Sequence, residues 1–215
     1  MKNILLTLLL LVPLFLSAKS YKGTIYYKKD NRAVDLEIQM PLKVNAKKVK
    51  VKINGQKQSI DASTLSYMDI YINDGTKKIT FKRGTISHFK KNGEIRKRQN
   101  VDVWSMLTDV RENIIVSAAG LMYDVKKKNK EEFLLVIFNP VTQGYYLSKA
   151  NSDILVNTDP YLDESFESKI GGAQSLLFPE CENIMELFEE AQKKEKKSDR
   201  LQVLINTYET CLTNN

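Results

Sequence analysis

Between residues 33 and 40 the chain reads AVDLEIQM, with Val34, Leu36, Ile38 and Met40 alternating with Asp35, Glu37 and Gln39. A two-residue period sends every second side chain to the same face, so this stretch predicts a strand with one dry and one wet side. Pro41 follows and lacks a ladder donor, which ends the strand or marks an edge. The period then returns: Val49, Val51 and Ile53 alternate with Lys50 and Lys52. Asn54-Gly55 next offers the positive φ of a tight hairpin, with a return strand over 56–60.

The same grammar runs through most of the chain. KGTIYYK (22–28) is a short β-rich run, and MDIYI and KKITFKR flank the turn Asn73-Asp74-Gly75. Asn92-Gly93 sits between ISHFKK and EIRKR, and FLLVIF and GYYLS flank a loop holding Asn139-Pro140 and Gly144. IIVSAAGLMY (114–123) and FLLVIF (133–138) have the length of buried strands rather than membrane helices. Short strands joined by turns predict a mainly antiparallel meander, folded as a sandwich or an open barrel, over 19–158.

After Asp159-Pro160 the alternation is lost, and 159–215 reads as a helical segment on or beside the β-rich part. DESFESKIGGAQSLL is ambiguous, because Gly171-Gly172 either ends a short helix or forms a loop. Pro179 suits the first turn of a helix, with Glu180 and Glu182 near the positive end of its dipole. Cys181, Ile184, Met185 and Phe188 follow the helical i, i+3, i+4, i+7 spacing. Ser198 is a good N-cap, and Leu201, Leu204, Ile205, Tyr208 and Leu212 form a second stripe. Two short amphipathic helices joined by a brief link pack antiparallel, which makes Cys181 and Cys211 neighbours.

The opening MKNILLTLLLLVPLFLSAKS has a positive Lys2, an apolar core from Ile4 to Phe15 and small residues Ser17-Ala18. That is the pattern of a removable secretory signal over 1–18. It places the working protein in the periplasm, on the outer surface or in the medium. Two cysteines in an exported chain, brought together by a helical hairpin, predict a disulfide.

The order of signal, KGTIYYK, DLEIQMPL, VKVKINGQK and the closing FPECENIMELFEE…LINTYETC resembles a group of small secreted proteins of Bacteroidetes, particularly flavobacteria. Members carry a β-rich body and a C-terminal helical segment with a "DCP-E-L" cysteine and a final "Y-N-x-x-C". This chain has Glu180-Cys181-Glu182 in place of Asp-Cys-Pro, with the proline ahead at Pro179. The group is uncharacterised, and the resemblance implies architecture without an activity.

Catalytic patterns are scarce. His88 is the single histidine, so any Ser/His/Asp or Cys/His site must use it; beside a turn in TISHFKK it reads as a surface residue. One histidine and two paired cysteines leave a zinc or copper site without its usual ligands. No G-x-S-x-G, phosphate loop or G-x-G-x-x-G occurs. The densest carboxylates, Asp159, Asp163, Glu164 and Glu167, read as a solvated acidic loop capping the next helix rather than a calcium or glycosidase pair. These features predict no enzyme and no cofactor.

The formal net charge is +7. Lysines recur at Lys43, Lys47, Lys48, Lys50 and Lys52, and again at Lys126, Lys127, Lys128 and Lys130. On a strand's wet face they solvate the sheet and keep its edges from pairing with other chains. Lys90, Lys91, Arg96, Lys97 and Arg98 flank Asn92-Gly93 and form the candidate contact for an anionic surface. Nucleic acid does not suit an exported chain. The expected function is a non-enzymatic cell-envelope module that binds a partner protein or an anionic surface polymer. The alternative is a small-molecule or lipid carrier with a β-barrel cavity, which an open apolar cavity would favour and a filled core would not.

Overall fold

The computed structural model describes residues 18–87, 101–111, 113–137, 144–158, 166–195 and 199–214. The strands are β1 (Lys19–Tyr27), β2 (Ala33–Met40), β3 (Leu42–Lys43), β4 (Lys48–Ile53), β5 (Gln56–Asp61), β6 (Leu65–Ile72) and β7 (Lys77–Ser87). They continue with β8 (Val101–Arg111), β9 (Ile114–Ala119), β10 (Met122–Lys128), β11 (Glu131–Ile137), β12 (Gly144–Lys149) and β13 (Ile154–Asn157). Helices α1 (Phe166–Leu177), α2 (Ile184–Lys194) and α3 (Arg200–Asn214) close the chain.

Among the described residues, one sheet of 10 strands has the order β13-β12-β9-β8-β7-β6-β1-β2-β4-β5, and β11-β10-β3 form a second. The turn signals set the hairpins. Asn54 and Gly55 hold φ of 50° and 79° between β4 and β5, and Asn73, Asp74 and Gly75 hold 51°, 54° and 91° between β6 and β7. Asparagine, aspartate and glycine tolerate this left-handed backbone best. Asn92-Gly93 lies outside the described residues.

One pairing breaks the antiparallel rule. β13 runs parallel to β7, with Ile154 opposite Thr85 and Leu155 opposite Ile86, while it also pairs with β12. Strands β7, β8, β9, β12 and β13 therefore form a closed circuit, which removes exposed edges from that part of the sheet. Gly84 permits the close approach. A Cβ there would stand 2.7 Å from the carbonyl oxygen of Asp153 and 2.7 Å from Cγ of Leu155.

The run IIVSAAGLMY is not one strand. β9 belongs to the large sheet, and the chain changes sheets at Gly120-Leu121 before β10 starts. Leu121 N–H donates to the Ile137 carbonyl at 2.6 Å, and a Cβ on Gly120 would lie 2.7 Å from the same oxygen. FLLVIF (133–138) has the length of a buried strand; its first five residues, 133–137, lie half-buried in β11 with Phe133 39% exposed, and Phe138 is outside the described residues. The reason is position: β11 is an edge of the smaller sheet.

Successive residues of the closing strands feed two cores. Tyr146 on β12 and Leu155 on β13 join Ile25, Ile38, Met68, Phe81, Trp104 and Tyr123. Their neighbours Leu147 and Val156 turn the other way and meet the helices at Phe166, Ile184, Phe188, Leu204 and Tyr208. Alternation along an extended backbone thus lets one strand serve both sides.

The helical end departs from expectation in two places. α1 runs through both Gly171 and Gly172. α2 begins at Ile184, not at Pro179. Tight turns precede it instead, with Cys181 N–H bonded to the Phe178 carbonyl at 3.0 Å and Ile184 N–H to the Cys181 carbonyl at 3.2 Å. These three-residue steps keep Phe178, Cys181 and Ile184 buried together. Ser198 lies outside the described residues; Asp199 Oδ1 accepts the Leu201 N–H at 2.8 Å and caps α3. The disulfide joins Cys181 to Cys211 across a Cα separation of 6.2 Å, tying the entry of α2 to the end of α3.

A candidate anion site around Arg83

β7 carries two adjacent cations, Lys82 and Arg83, and both are buried. Period-two geometry puts them on opposite faces. Lys82 shares its face with its cross-strand partners Tyr67 and Ser105. Its Nζ donates to Ser148 Oγ at 3.0 Å and to the Lys149 carbonyl at 2.8 Å, and lies 5.8 Å from the Tyr67 ring centre. Burial pushes its pKa down to about 8, with the carboxylate of Asp153 acting against that. It donates its hydrogen bonds to neutral acceptors, as an internal brace does.

Arg83 shares the other face with Ile79, Phe81 and its cross-strand partner Trp104. The guanidinium lies 5.6 Å from the centre of the Trp104 ring and is 5% exposed. Its Nη2 stands 3.8 Å from Asp102 Oδ2, an ion pair too long for a hydrogen bond. Nε and Nη1 have no hydrogen-bond partner among the described residues. Burial lowers its pKa from the usual arginine value, and the carboxylates of Asp102 and Asp61 oppose the shift.

Arg83 lines a cleft of about 630 Å³ that is open to solvent, together with Asn45, Lys47, Lys48, Asp61, Ser63, Val101 and Asp102. Four segments build it. The loop after β3 docks on β8 through a 2.7 Å bond from Trp104 N–H to the Val44 carbonyl, which brings Asn45 and Lys47 to the rim. Lys48 opens β4 opposite Asp61, the last residue of β5. Asp61 caps a short 3-10 turn: its Oδ1 accepts from Ser63 N–H at 2.9 Å and from Ser63 Oγ–H at 2.8 Å. Those bonds hold its carboxyl below the usual range. Asp102 is positioned by Thr85, whose Oγ1–H donates to Oδ1 at 2.6 Å.

The arrangement can do electrostatic work and little covalent chemistry. Among the described residues three cations face two carboxylates, and Nε and Nη1 of Arg83 have no partner. An unsatisfied buried donor is unfavourable by about 1–3 kcal/mol, more when charged.

The residues singled out from the sequence lie elsewhere or outside. Lys90, Lys91, Arg96, Lys97 and Arg98, and also His88, Asp159, Asp163 and Glu164, are outside the described residues. Glu167 pairs with Arg200 at 3.3 Å. Lys52 pairs with Glu37 at 3.2 Å and Lys126 with Asp124 at 2.6 Å, whereas Lys47 and Lys48 reach the cleft. Sequence reasoning missed Arg83. The single available signal was its place in KKITFKR, in step with Ile79 and Phe81 on the apolar face.

Among the described residues no group of three or more His, Cys, Asp or Glu side chains could hold a metal ion, and no helix is long and apolar enough to cross a membrane. No protein-family model, curated protein or solved structure matches the chain.

Proposed function

We propose that this protein is an exported, non-catalytic module of the cell envelope that binds an acidic group of a partner or surface polymer at the Arg83 cleft. The observation that carries this reading is the gathering of three cations, Arg83, Lys47 and Lys48, around one cleft open to solvent. The secretory pattern of the first 18 residues and the Cys181–Cys211 disulfide support an oxidising compartment.

The carrier alternative draws no support from the core. Ile25, Ile38, Met68, Ile70, Phe81, Trp104 and Tyr123 each have 0% exposure, so no water-sized void touches them. The reading is tested by titrating the purified protein with an anionic polymer at rising salt. Binding that weakens with salt and drops in Arg83→Gln supports it. Equal binding by Arg83→Gln refutes the site.

A further inference from the structure

We infer that the sheet face carrying Tyr26 and Tyr71 is a second binding site, a platform for a neutral polysaccharide of pyranose units. It is separate from the Arg83 cleft, because alternation turns Thr80 of β7 to this face and Arg83 to the opposite one. On β1 and β6, Ile25, Met68 and Ile70 enter the core, so Thr24, Tyr26, Asp69 and Tyr71 point the other way. Tyr26 O–H donates to Asp69 Oδ2 at 3.0 Å, and Tyr71 Oη lies 3.4 Å from Thr24 Oγ1. Each contact reaches from one strand to its neighbour, so the two rings cross the β1–β6 seam in opposite directions. Thr24 and Asp69 are 6% and 2% exposed although they face away from the core, and both rings keep surface in contact with solvent.

Rings held at both ends offer pre-placed apolar surface. A pyranose with equatorial hydroxyls has an apolar C–H side that packs on an aromatic ring, and polar edges that need hydrogen bonds. Thr24 Oγ1–H donates to Asp35 Oδ1 at 2.6 Å, which uses its single proton, so Tyr71 O–H is the donor to Thr24. The relay ends on Asp35, an exposed carboxylate that accepts from sugar hydroxyls. From Tyr71 the face continues past Asp35, Glu37 and Lys52 into an open cleft of about 580 Å³, the size of a small-ligand site. At the other end the β12–β13 turn forms a wall, held by Tyr67 O–H to the Ala150 carbonyl at 3.0 Å and Lys28 to Asp153 at 2.6 Å. The charges are paired, Lys52 with Glu37 at 3.2 Å and Lys78 with Asp69 at 3.7 Å, so no block of one sign selects an ionic ligand. Protein interfaces are depleted in Lys, Glu and Asp, which this face interleaves with its tyrosines, and that favours a hydroxylated ligand over a protein. The floor lies within the continuous described stretch 18–87, and its end at Ser87 is about 30 Å along β7 from Lys78.

The test titrates the purified protein with cellohexaose while the ring resonances of Tyr26 and Tyr71 are followed by NMR. Both are expected to shift, with an affinity that rising salt leaves unchanged. Tyr71→Ala should weaken binding about tenfold or more, and Tyr71→Phe, which keeps the ring, should retain it. Asp35→Ala alters an exposed side chain alone and should also weaken binding, which keeps the test decisive where Tyr71→Ala fails to fold. Arg83→Gln should bind as the wild type does, so loss of the anion site and loss of this platform are read separately. Absence of any shift with cellohexaose, equal binding by Tyr71→Ala and Asp35→Ala, or dependence on salt or on Arg83 overturns the platform. If poly-glutamate or poly-lysine shifts the two rings and cellohexaose does not, the face belongs to a charged protein partner and the polysaccharide assignment fails.

Discussion

Lys82 and Arg83, neighbours in β7, are buried on opposite faces of one sheet, the first among neutral acceptors and the second beside an open cleft. The pair separates two uses of a buried cation. Lys82 has its hydrogen bonds, and among the described residues Arg83 has two nitrogens without any.

Lys82 gives the protein an alkaline signature. Folded Lys82 releases its proton near pH 8, whereas its ordinary value is 10.5. Below pH 8 it is charged in both states and the burial penalty is fully present. As pH rises from 8 to 10.5 the unfolded state binds more protons, so stability rises, by on the order of 3 kcal/mol in total from this group. Urea unfolding of the wild type and Lys82→Met across pH 7–10.5 isolates the contribution. The difference between the two should shift steadily above pH 8; a constant difference over that window would contradict it.

Gly84→Ala should open the strand circuit. The added methyl meets backbone at Asp153 and the side chain of Leu155, neither of which has room to retreat in a parallel pair. Destabilisation of roughly 2–3 kcal/mol follows from such overpacking. Hydrogen exchange locates it: the Thr85 amide, bonded to the Asp153 carbonyl at 2.7 Å, should lose protection before the amides of β1 and β6.

Removing the disulfide should loosen the helical end. Cys181 and Cys211 are 30 residues apart, and closing a loop of that size in the unfolded chain is worth about 3.5 kcal/mol on the chain-entropy estimate. Cys181→Ala/Cys211→Ala should lower the thermal midpoint by many degrees. An unchanged midpoint would show that packing of α2 and α3 alone sets the stability.

The helical end is also pinned to β12 by charge. Lys149 Nζ donates to both Glu180 oxygens at 2.9 and 2.8 Å, and Tyr208 O–H donates to Glu180 Oε2 at 2.8 Å. The Lys149 bond holds the Glu180 carboxyl below its usual range. Its contribution is therefore present above the unfolded carboxyl range and is lost as pH falls through the folded value. Glu180 is 44% exposed, so screening keeps the effect below about 1 kcal/mol. Glu180→Gln should lower stability at pH 7 by about that much and converge with the wild type at pH 3; a gap that persists at pH 3 would rule the carboxylate out as the cause.

Local chemistry made much of the fold readable. AVDLEIQM is β2 to the residue, and Asn54-Gly55 and Asn73-Asp74-Gly75 turn where their tolerance of positive φ requires. The cysteine pairing followed from helical spacing, although Cys181 sits in a turn ahead of α2. Less local features escaped. IIVSAAGLMY looks uniform in hydropathy, yet it crosses from one sheet to another at Gly120 because Ile137 approaches too closely for a side chain.

By itself the sequence determined the strands that alternate clearly, such as β2 and β4, the turns at Asn54-Gly55 and Asn73-Asp74-Gly75, and the period that makes one face dry. Each depends on neighbours within a few residues, through side-chain alternation and allowed φ. Tertiary structure decided that β13 closes on β7, and that Lys82 and Arg83 are buried. It also decided that Asn45, Lys47, Lys48, Asp61 and Asp102 surround one guanidinium. Those outcomes depend on segments tens of residues apart meeting in space, and a lysine or arginine on a strand carries no local mark of whether water or a second sheet edge will cover it.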